Sequence, residues 1–232
     1  MPRLKRPLPV GDEKVAAVRS MFDAIAPRYD LVNRVMTFGL DLRWRRTAVE
    51  MLAVPRGSVV VDVACGTGDF CRILEAAGDR PIGIDLSWGM LRAARTTAPL
   101  VQTDGLRMPF RAGFVDGITC GFALRNVADV SSLLTEFQRV LRPGGRIAIL
   151  EVAEPKSRML RAAHTLYFRR VVPIIGGVLS DRDAYGYLPQ STAYLPPQAK
   201  LLERFVEAGF PDIRSRSVGL GAAQIITGTK SG

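Results

Sequence analysis

The stretch from Val59 to Phe70, VVVDVACGTGDF, constrains the fold more than any other part of this chain. An apolar run ends in Asp62 and passes straight into Ala64-x-Gly66-x-Gly68, after which Phe70, Ile73, Leu74 and Ala77 recur at helical spacing. That pattern predicts a strand, a tight turn and a helix start. Glycines in such a turn remove the Cβ atoms that would obstruct a ligand. The junction also turns free backbone N–H groups and the positive end of a helix dipole toward whatever binds there. Spacing then narrows the occupant. A dinucleotide fingerprint, G-x-G-x-x-G, counted from Gly66 needs a third glycine where Cys71 stands, and no G-x-x-x-x-G-K-[ST] occurs.

The pattern [DE]-x-[GA]-x-G-x-G made by Asp62, Ala64, Gly66 and Gly68, with Thr67 between the glycines, resembles the first motif of class I S-adenosylmethionine methyltransferases. Downstream segments repeat the logic. Pro81-Ile82-Gly83-Ile84-Asp85 reads as a second strand ending in an acid, where an α/β nucleotide site places its ribose-binding carboxylate. Val101 to Gly105 reads as a third strand end, with Asp104 and Gly105 placed for an adenine amino group, and Val115 to Cys120 as a fourth strand, with Gly121 after it a further cofactor-site candidate.

Composition fits one α/β unit: 232 residues, 47% hydrophobic and 23% charged, with no repeat or low-complexity tract. The basic, Pro-broken MPRLKRPLPV segment lacks an apolar h-region and reads as a flexible arm over residues 1–10 rather than a signal peptide. Val171 to Leu179 is too short and too interrupted by Pro and Gly to span a bilayer. Cys65, Cys71 and Cys120 have no C-x-x-C spacing and His164 is the one histidine, so no metal site is expected and reduced thiols point to a cytoplasmic protein.

The expected architecture is a Rossmann-like seven-stranded sheet with helices on both faces and an antiparallel last strand. Residues 11–57 form a helical cap, with Val15, Val18, Met21, Phe22 and Ile25 at helical spacing and a further helix over Leu42 to Leu52. Residues 58–232 form the core, with an insertion over about 154–196 that breaks the βα rhythm. Leu133, Leu134, Phe137, Val140 and Leu141 mark a helix stopped by Pro143-Gly144-Gly145, before a strand from Arg146 to Val152. A helix through Leu201 to Val206, ended by Gly209, precedes strands near Ile213 to Val218 and Ala222 to Thr229.

YDLVNRVMTFGLDLRW (Tyr29 to Trp44), GFALRNVAD (Gly121 to Asp129), RVLRPGGRIAILEVAEP (Arg139 to Pro155) and DAYGYLPQS (Asp183 to Ser191) together resemble the UbiE/MenG family of quinone-biosynthesis C-methyltransferases. The resemblance runs from about residue 15 to the C-terminus. It implies S-adenosyl-L-methionine as cofactor and a polyprenylated hydroquinone, demethylmenaquinol or demethoxybenzoquinol, as substrate. The chain departs from the family pattern at Val32, Asp41, Gly121, Ala123 and Ala153. Gly121 in place of Ser is expected to remove one cofactor hydrogen bond, and Asp41 in place of His bears on the substrate side. A methyltransferase for an aromatic secondary metabolite and a non-catalytic pathway scaffold stay open as alternatives.

By resemblance, Arg125 and Asn126 position a water or phenolate and stabilise the developing oxyanion. A structural ion pair and a turn residue are the competing readings of that pair. Tyr29, Asp30 and Asn33 are candidates to close the cap, and Tyr185 and Tyr187 are candidate substrate residues. His164, on an Arg-rich helix, reads as a surface residue. The net charge is +10, with only five lysines (5, 14, 156, 200 and 230) among 32 basic residues. Nucleic acid is not the expected partner, because the fourth strand lacks the [DN]-P-P-[YFW] of enzymes acting on base amines. Lys156, Arg158, Arg161, Arg169 and Arg170 beside the apolar 171–179 stretch suit an anionic membrane surface or a merely solvated face. Oligomeric state cannot be read from the sequence.

Overall fold

In the computed structural model, residues 10–179 and 191–232 are described. Tyr185, Tyr187 and most of the flexible arm expected at residues 1–10 lie outside the described residues, as does the Arg169 side chain. Seven strands form one sheet: β1 Val59–Val63, β2 Arg80–Asp85, β3 Leu100–Gln102, β4 Val115–Gly121, β5 Leu141–Val152, β6 Arg214–Val218 and β7 Ala223–Thr229. Their order is β3-β2-β1-β4-β5-β7-β6. The first five run parallel, β7 is antiparallel to β5, and β6 pairs antiparallel with β7. Both the seven strands and the reversed last strand agree with the sequence expectation.

Strand period decides which side chain covers which face. Val61 in β1 and Ile147 and Ile149 in β5 face Leu133, Leu134 and Phe137 of α6 (Val130–Val140) and Phe205 of α9 (Gln198–Glu207). Their neighbours Val60, Ala148 and Leu150 face Ala48 and Leu52 of α3 (Leu40–Leu52) and Phe70 and Leu74 of α4 (Asp69–Ala77). Helices therefore cover both faces, and the central strands are apolar on both. Of the segment 11–57, α1 (Gly11–Ile25) and α2 (Tyr29–Thr37) overhang the carboxyl edge, while α3 lies on the sheet itself.

Three boundaries differ from the sequence reading. The helix expected from Leu42 starts at Leu40, behind Phe38 and Gly39, which both hold left-handed backbone. The third strand stops at Gln102, so Asp104 and Gly105 sit in the following turn. The helix expected to stop at Pro143 ends at Val140, because Leu141 already pairs with Val115 and is fully buried. Pro143, Gly144 and Gly145 then form an irregularity within β5 before Arg146 pairs with Gly117.

The chain leaves β1 for β2 and β3, then crosses back to β4 on the other side of β1, so the connections diverge between β1 and β4. Ligands of open α/β sheets bind in the crevice at such a switch point. Over this crevice α1 is pinned at both ends. Lys14 Nζ donates to the Val127 carbonyl at 2.7 Å. Asp23 accepts from Ser87 Oγ at 2.6 Å and from Gly89 N at 2.8 Å, at the start of α5 (Trp88–Ala93). A Cβ at Gly89 would stand 2.9 Å from the Asp23 backbone, so the two helices meet where only glycine fits. Asp23→Ala should therefore lower stability by about 1–2 kcal/mol. Hydrogen exchange should show faster opening confined to α1; unchanged α1 protection would refute this anchor.

Candidate active site

After β1 the backbone enters left-handed conformations at Ala64 (φ 54°), Gly66 (φ 55°) and Gly68 (φ 82°). Asp85, at the end of β2, braces this turn: Oδ2 accepts from Gly66 N and Oδ1 from Ser87 N, each at 2.8 Å. A carboxylate accepts about four hydrogen bonds, so Asp85 retains lone pairs for a ligand. Burial pushes its acid up to about 6, against the pull of those N–H groups.

Asp62 is buried and accepts from Thr119 Oγ1 at 2.8 Å and from Cys71 Sγ at 3.7 Å. Its acid is pushed up to about 7, chiefly by burial. It lies among these partners under the turn and is absent from the walls of both chambers described below. Thr67 is likewise buried; its hydroxyl donates to Asp30 Oδ1 at 2.5 Å, so this predicted cap residue and this predicted turn residue face each other. A Cβ on Gly68 would meet Thr96 at 2.9 Å, which corrects the expectation that this glycine makes room for the ligand. A Cβ on Gly121 would come within 2.9 Å of the Phe70 ring, so the missing serine is matched by a ring that fills its place.

Two chambers open at the carboxyl edge. One is lined by Ala64, Gly66, Asp85, Asp104, Gly105 and Gly121, with α1 closing its outer side through Val15, Val18 and Phe22. Asp104 Oδ1 accepts from Leu106 N at 2.9 Å within its own turn. The other, of about 230 Å³, is mainly apolar, walled by residues such as Met21, Met36, Trp44 and Val172. Phe22, Tyr29, Phe122 and Asn126 belong to both walls, so the chambers adjoin there.

Of the predicted catalytic pair, Asn126 faces both chambers and donates from Nδ2 to the Phe122 carbonyl at 3.3 Å. Arg125 lines the apolar chamber but is buried in an ion pair with Glu151, and its Nε donates to Ser191 Oγ at 3.2 Å. Tyr29 and Asn33 both line the apolar chamber, and burial pushes the Tyr29 hydroxyl upward.

Sequence reasoning missed a cluster of buried charges at the back of this chamber. Asp41 accepts from Arg34, from Arg45 at 3.0 Å and from Thr37 at 2.8 Å. Asp69, first residue of α4, accepts from Arg34 through both oxygens at 2.7 Å and pairs with Arg72. The i,i+4 spacing of Asp41 and Arg45 and the i,i+3 spacing of Asp69 and Arg72 were visible in the sequence; their meeting through Arg34 was not. His164, read as a surface residue, instead lines the apolar chamber, because α7 (Arg158–Leu166) turns that face inward. The three cysteines are free thiols, all buried.

Because Asp62 is held protonated to higher pH in the fold than in the unfolded chain, its contribution to stability is present below about pH 4. That contribution is lost as pH rises through about 7. Asp62→Asn keeps the acceptor for Thr119 and removes the titration. The variant should gain on wild type across that window, by on the order of a few kcal/mol above pH 8. Denaturant melts at pH 4.5 and pH 8.5 test this, and a pH-independent difference would contradict it.

The profile of the ubiE/COQ5 methyltransferase family matches residues 9–230. A demethylmenaquinone methyltransferase of Roseiflexus sp. (strain RS-1) is 42% identical, covering 97% of this chain and 98% of its own. The ubiquinone/menaquinone biosynthesis C-methyltransferase UbiE of Geobacter sulfurreducens is 41% identical, covering 94% and 90%. Among solved structures, an S-adenosylmethionine-dependent methyltransferase of Thermotoga maritima superposes with a TM-score of 0.66 at 17% identity, over 92% of this chain and 100% of that one, which speaks for the fold. Glycine turn, switch-point crevice and near full-length similarity to these relatives agree: the chain belongs to the ubiE/COQ5 methyltransferase family.

Proposed function

We propose that this chain methylates a ring carbon of a demethylated isoprenoid hydroquinone, demethylmenaquinol, with S-adenosyl-L-methionine as donor. The observation that carries the reading is the pair of adjoining chambers: one is acid-ended over the glycine turn, and the other is apolar and large enough to hold much of an aromatic ring. They meet at Tyr29, Phe122 and Asn126. The relatives' names support a quinol; nothing in them favours a secondary metabolite or a non-catalytic scaffold.

The residues fit the donor. Asp85 has lone pairs left for ribose hydroxyls, Asp104 and Gly105 stand where an adenine would lie, and the turn presents backbone rather than side chains. When bound, the donor supplies a methyl group that is already electrophilic on its sulfonium. The protein's work is then to align a ring carbon and raise its electron density. Tyr29 and Phe122 orient the ring at the junction, Asn126 offers an amide to a ring oxygen, and the apolar walls exclude water. Arg125, already paired with Glu151, contributes positive potential beside the developing oxyanion.

Two substitutions separate these roles. Asp85→Ala should weaken cofactor binding about a hundredfold by calorimetry, since charge-assisted bonds and the brace of the turn are lost together. Asn126→Ala should leave that affinity within about threefold yet slow methyl transfer to demethylmenaquinol analogues about ten- to a hundredfold. Equal effects of the two on binding would contradict the assignment. Arg125→Ala is a poor probe, because it strands the fully buried Glu151 at a cost of about 3–5 kcal/mol.

A membrane-facing role for α7 and its continuation has its own observation. Met159 (77% exposed), Leu166 (56%) and Ile174 (66%) are presented together with the exposed Arg158, Arg161 and Arg170. No helix among the described residues is long and apolar enough to cross a membrane, so the contact would be peripheral. Such a surface suits an anionic bilayer holding polyprenylated substrate. Sedimentation should show binding to anionic liposomes that falls with salt and with an Arg158/Arg161/Arg170 to Gln variant; equal binding to neutral liposomes would reduce the cluster to a solvated face.

A further inference from the structure

Methylating a hydroquinone carbon requires a group to take the proton of a neighbouring hydroxyl, and the apolar chamber offers few candidates. Arg45 and Arg125 are guanidinium groups, which only donate. The Tyr29 hydroxyl is pushed up by burial and holds its own proton, as does Tyr167, whose hydroxyl donates to the Met36 carbonyl at 2.8 Å. Asp41 is committed to Arg34, Arg45 and Thr37. Asn126 is an amide. One side chain in the wall can take a proton without dismantling a buried ion pair.

We propose that His164 is the base that accepts the ring hydroxyl proton of the substrate. The proposal rests on the hydroquinone reading given above. In the step, the substrate O–H bond breaks, a new N–H bond forms on the imidazole, and the electron pair stays on the ring oxygen, raising the charge density of the ring carbons. The methylated ring carbon then gives up its own proton to restore the aromatic ring, the ring oxygen regains one through water, and the imidazolium returns its proton to water. One proton is thus released per methyl transferred, and the residue is unchanged over the cycle. Arg125 and Asn126 act on the oxyanion that results; His164 creates it.

The surroundings favour this use. Burial lowers the imidazole's proton affinity and leaves it neutral near pH 7, while Glu154, before α7, pulls the other way. Glu154 is itself shared with Arg161 at 3.9 Å. Tyr29, Asp41 and Arg45 face the chamber from α2 and α3, Arg125 faces it from the loop after β4, and Tyr167 from the turn after α7. The cationic members of that set favour the ring oxyanion once the proton has moved.

Since the chain has one histidine, its imidazole can be titrated by NMR in the tag-free wild-type protein without assignment. Its value should lie below the ordinary 6.5 and coincide with the acidic limb of kcat/KM for a demethylmenaquinol analogue. H164Q should lower kcat about a hundredfold or more at pH 7, change KM and cofactor affinity little, and lose the acidic limb. Its deficit should shrink as rising pH ionises the hydroquinone directly. Added imidazole should restore part of the rate to H164A. A disagreement between titrated and kinetic values of more than about half a unit would overturn the proposal. So would H164Q keeping the limb or keeping kcat within about threefold. Wild-type protein that fails to methylate any hydroquinone analogue would instead overturn the hydroquinone reading.

Discussion

Asp69 opens α4 one residue after the glycine turn, and both oxygens of its carboxylate accept from one arm of Arg34 of α2, the Nη2 group, while it pairs with Arg72 on its own helix. The same Arg34 reaches Asp41 at the start of α3. Through these contacts the cofactor turn, the cap and the sheet-covering helix share one set of charges. Where the apolar chamber lies relative to the turn follows from it. Such a cluster is a weak source of net stability, because desolvating several ions offsets much of their attraction. What it supplies is register: α2 cannot slide along α4 without stranding a buried carboxylate.

The two chambers are built on opposite physical terms. Beside the glycine turn, acids are left short of full compensation, and Asp62 and Asp85 are pushed up to about 7 and about 6. At Asp85, which lines the chamber, a ligand bearing ribose hydroxyls supplies donors that the carboxylate lacks, whereas Asp62 under the turn keeps Thr119 and Cys71 as its partners. In the apolar chamber the charges are already matched among themselves, and what faces inward is mostly ring and thioether. A flat apolar ligand loses little there by desolvation. Tyr29, common to both walls, carries an apolar body and a polar tip across the boundary.

Legibility in the sequence followed the range of the interactions. The turn after β1, the acid at Asp85 and the apolar strand from Arg146 to Val152 could be read because each depends on neighbours within a few residues. The strand start at Leu141 and the inward aspect of His164 could not, since each is set by a partner far along the chain: Leu141 by Val115, and His164 by α7 folding against the cap. The predicted site residues met a similar division. Asp85, Asp104, Gly66 and Gly121 line one chamber together, whereas Asp62, Thr67 and Asp30 hold the turn from behind. A motif records which residue types recur at a turn; it does not separate those that face a ligand from those that shape the backbone.

Asp41 shows why that separation matters. As a departure from the family pattern it put the substrate in question, because it falls in the segment that covers the ring. In the fold it lines the chamber, yet its described side-chain hydrogen bonds all go to Arg34, Arg45 and Thr37. A carboxylate so engaged presents little net charge to a ligand, and its arginines need it more than a substrate does. An acid at this position therefore adjusts the packing of α2 on α3 and leaves ring recognition to the apolar wall. The proton chemistry that a histidine here could have offered is the role proposed for His164, the one imidazole of this chain, in the wall of the same chamber.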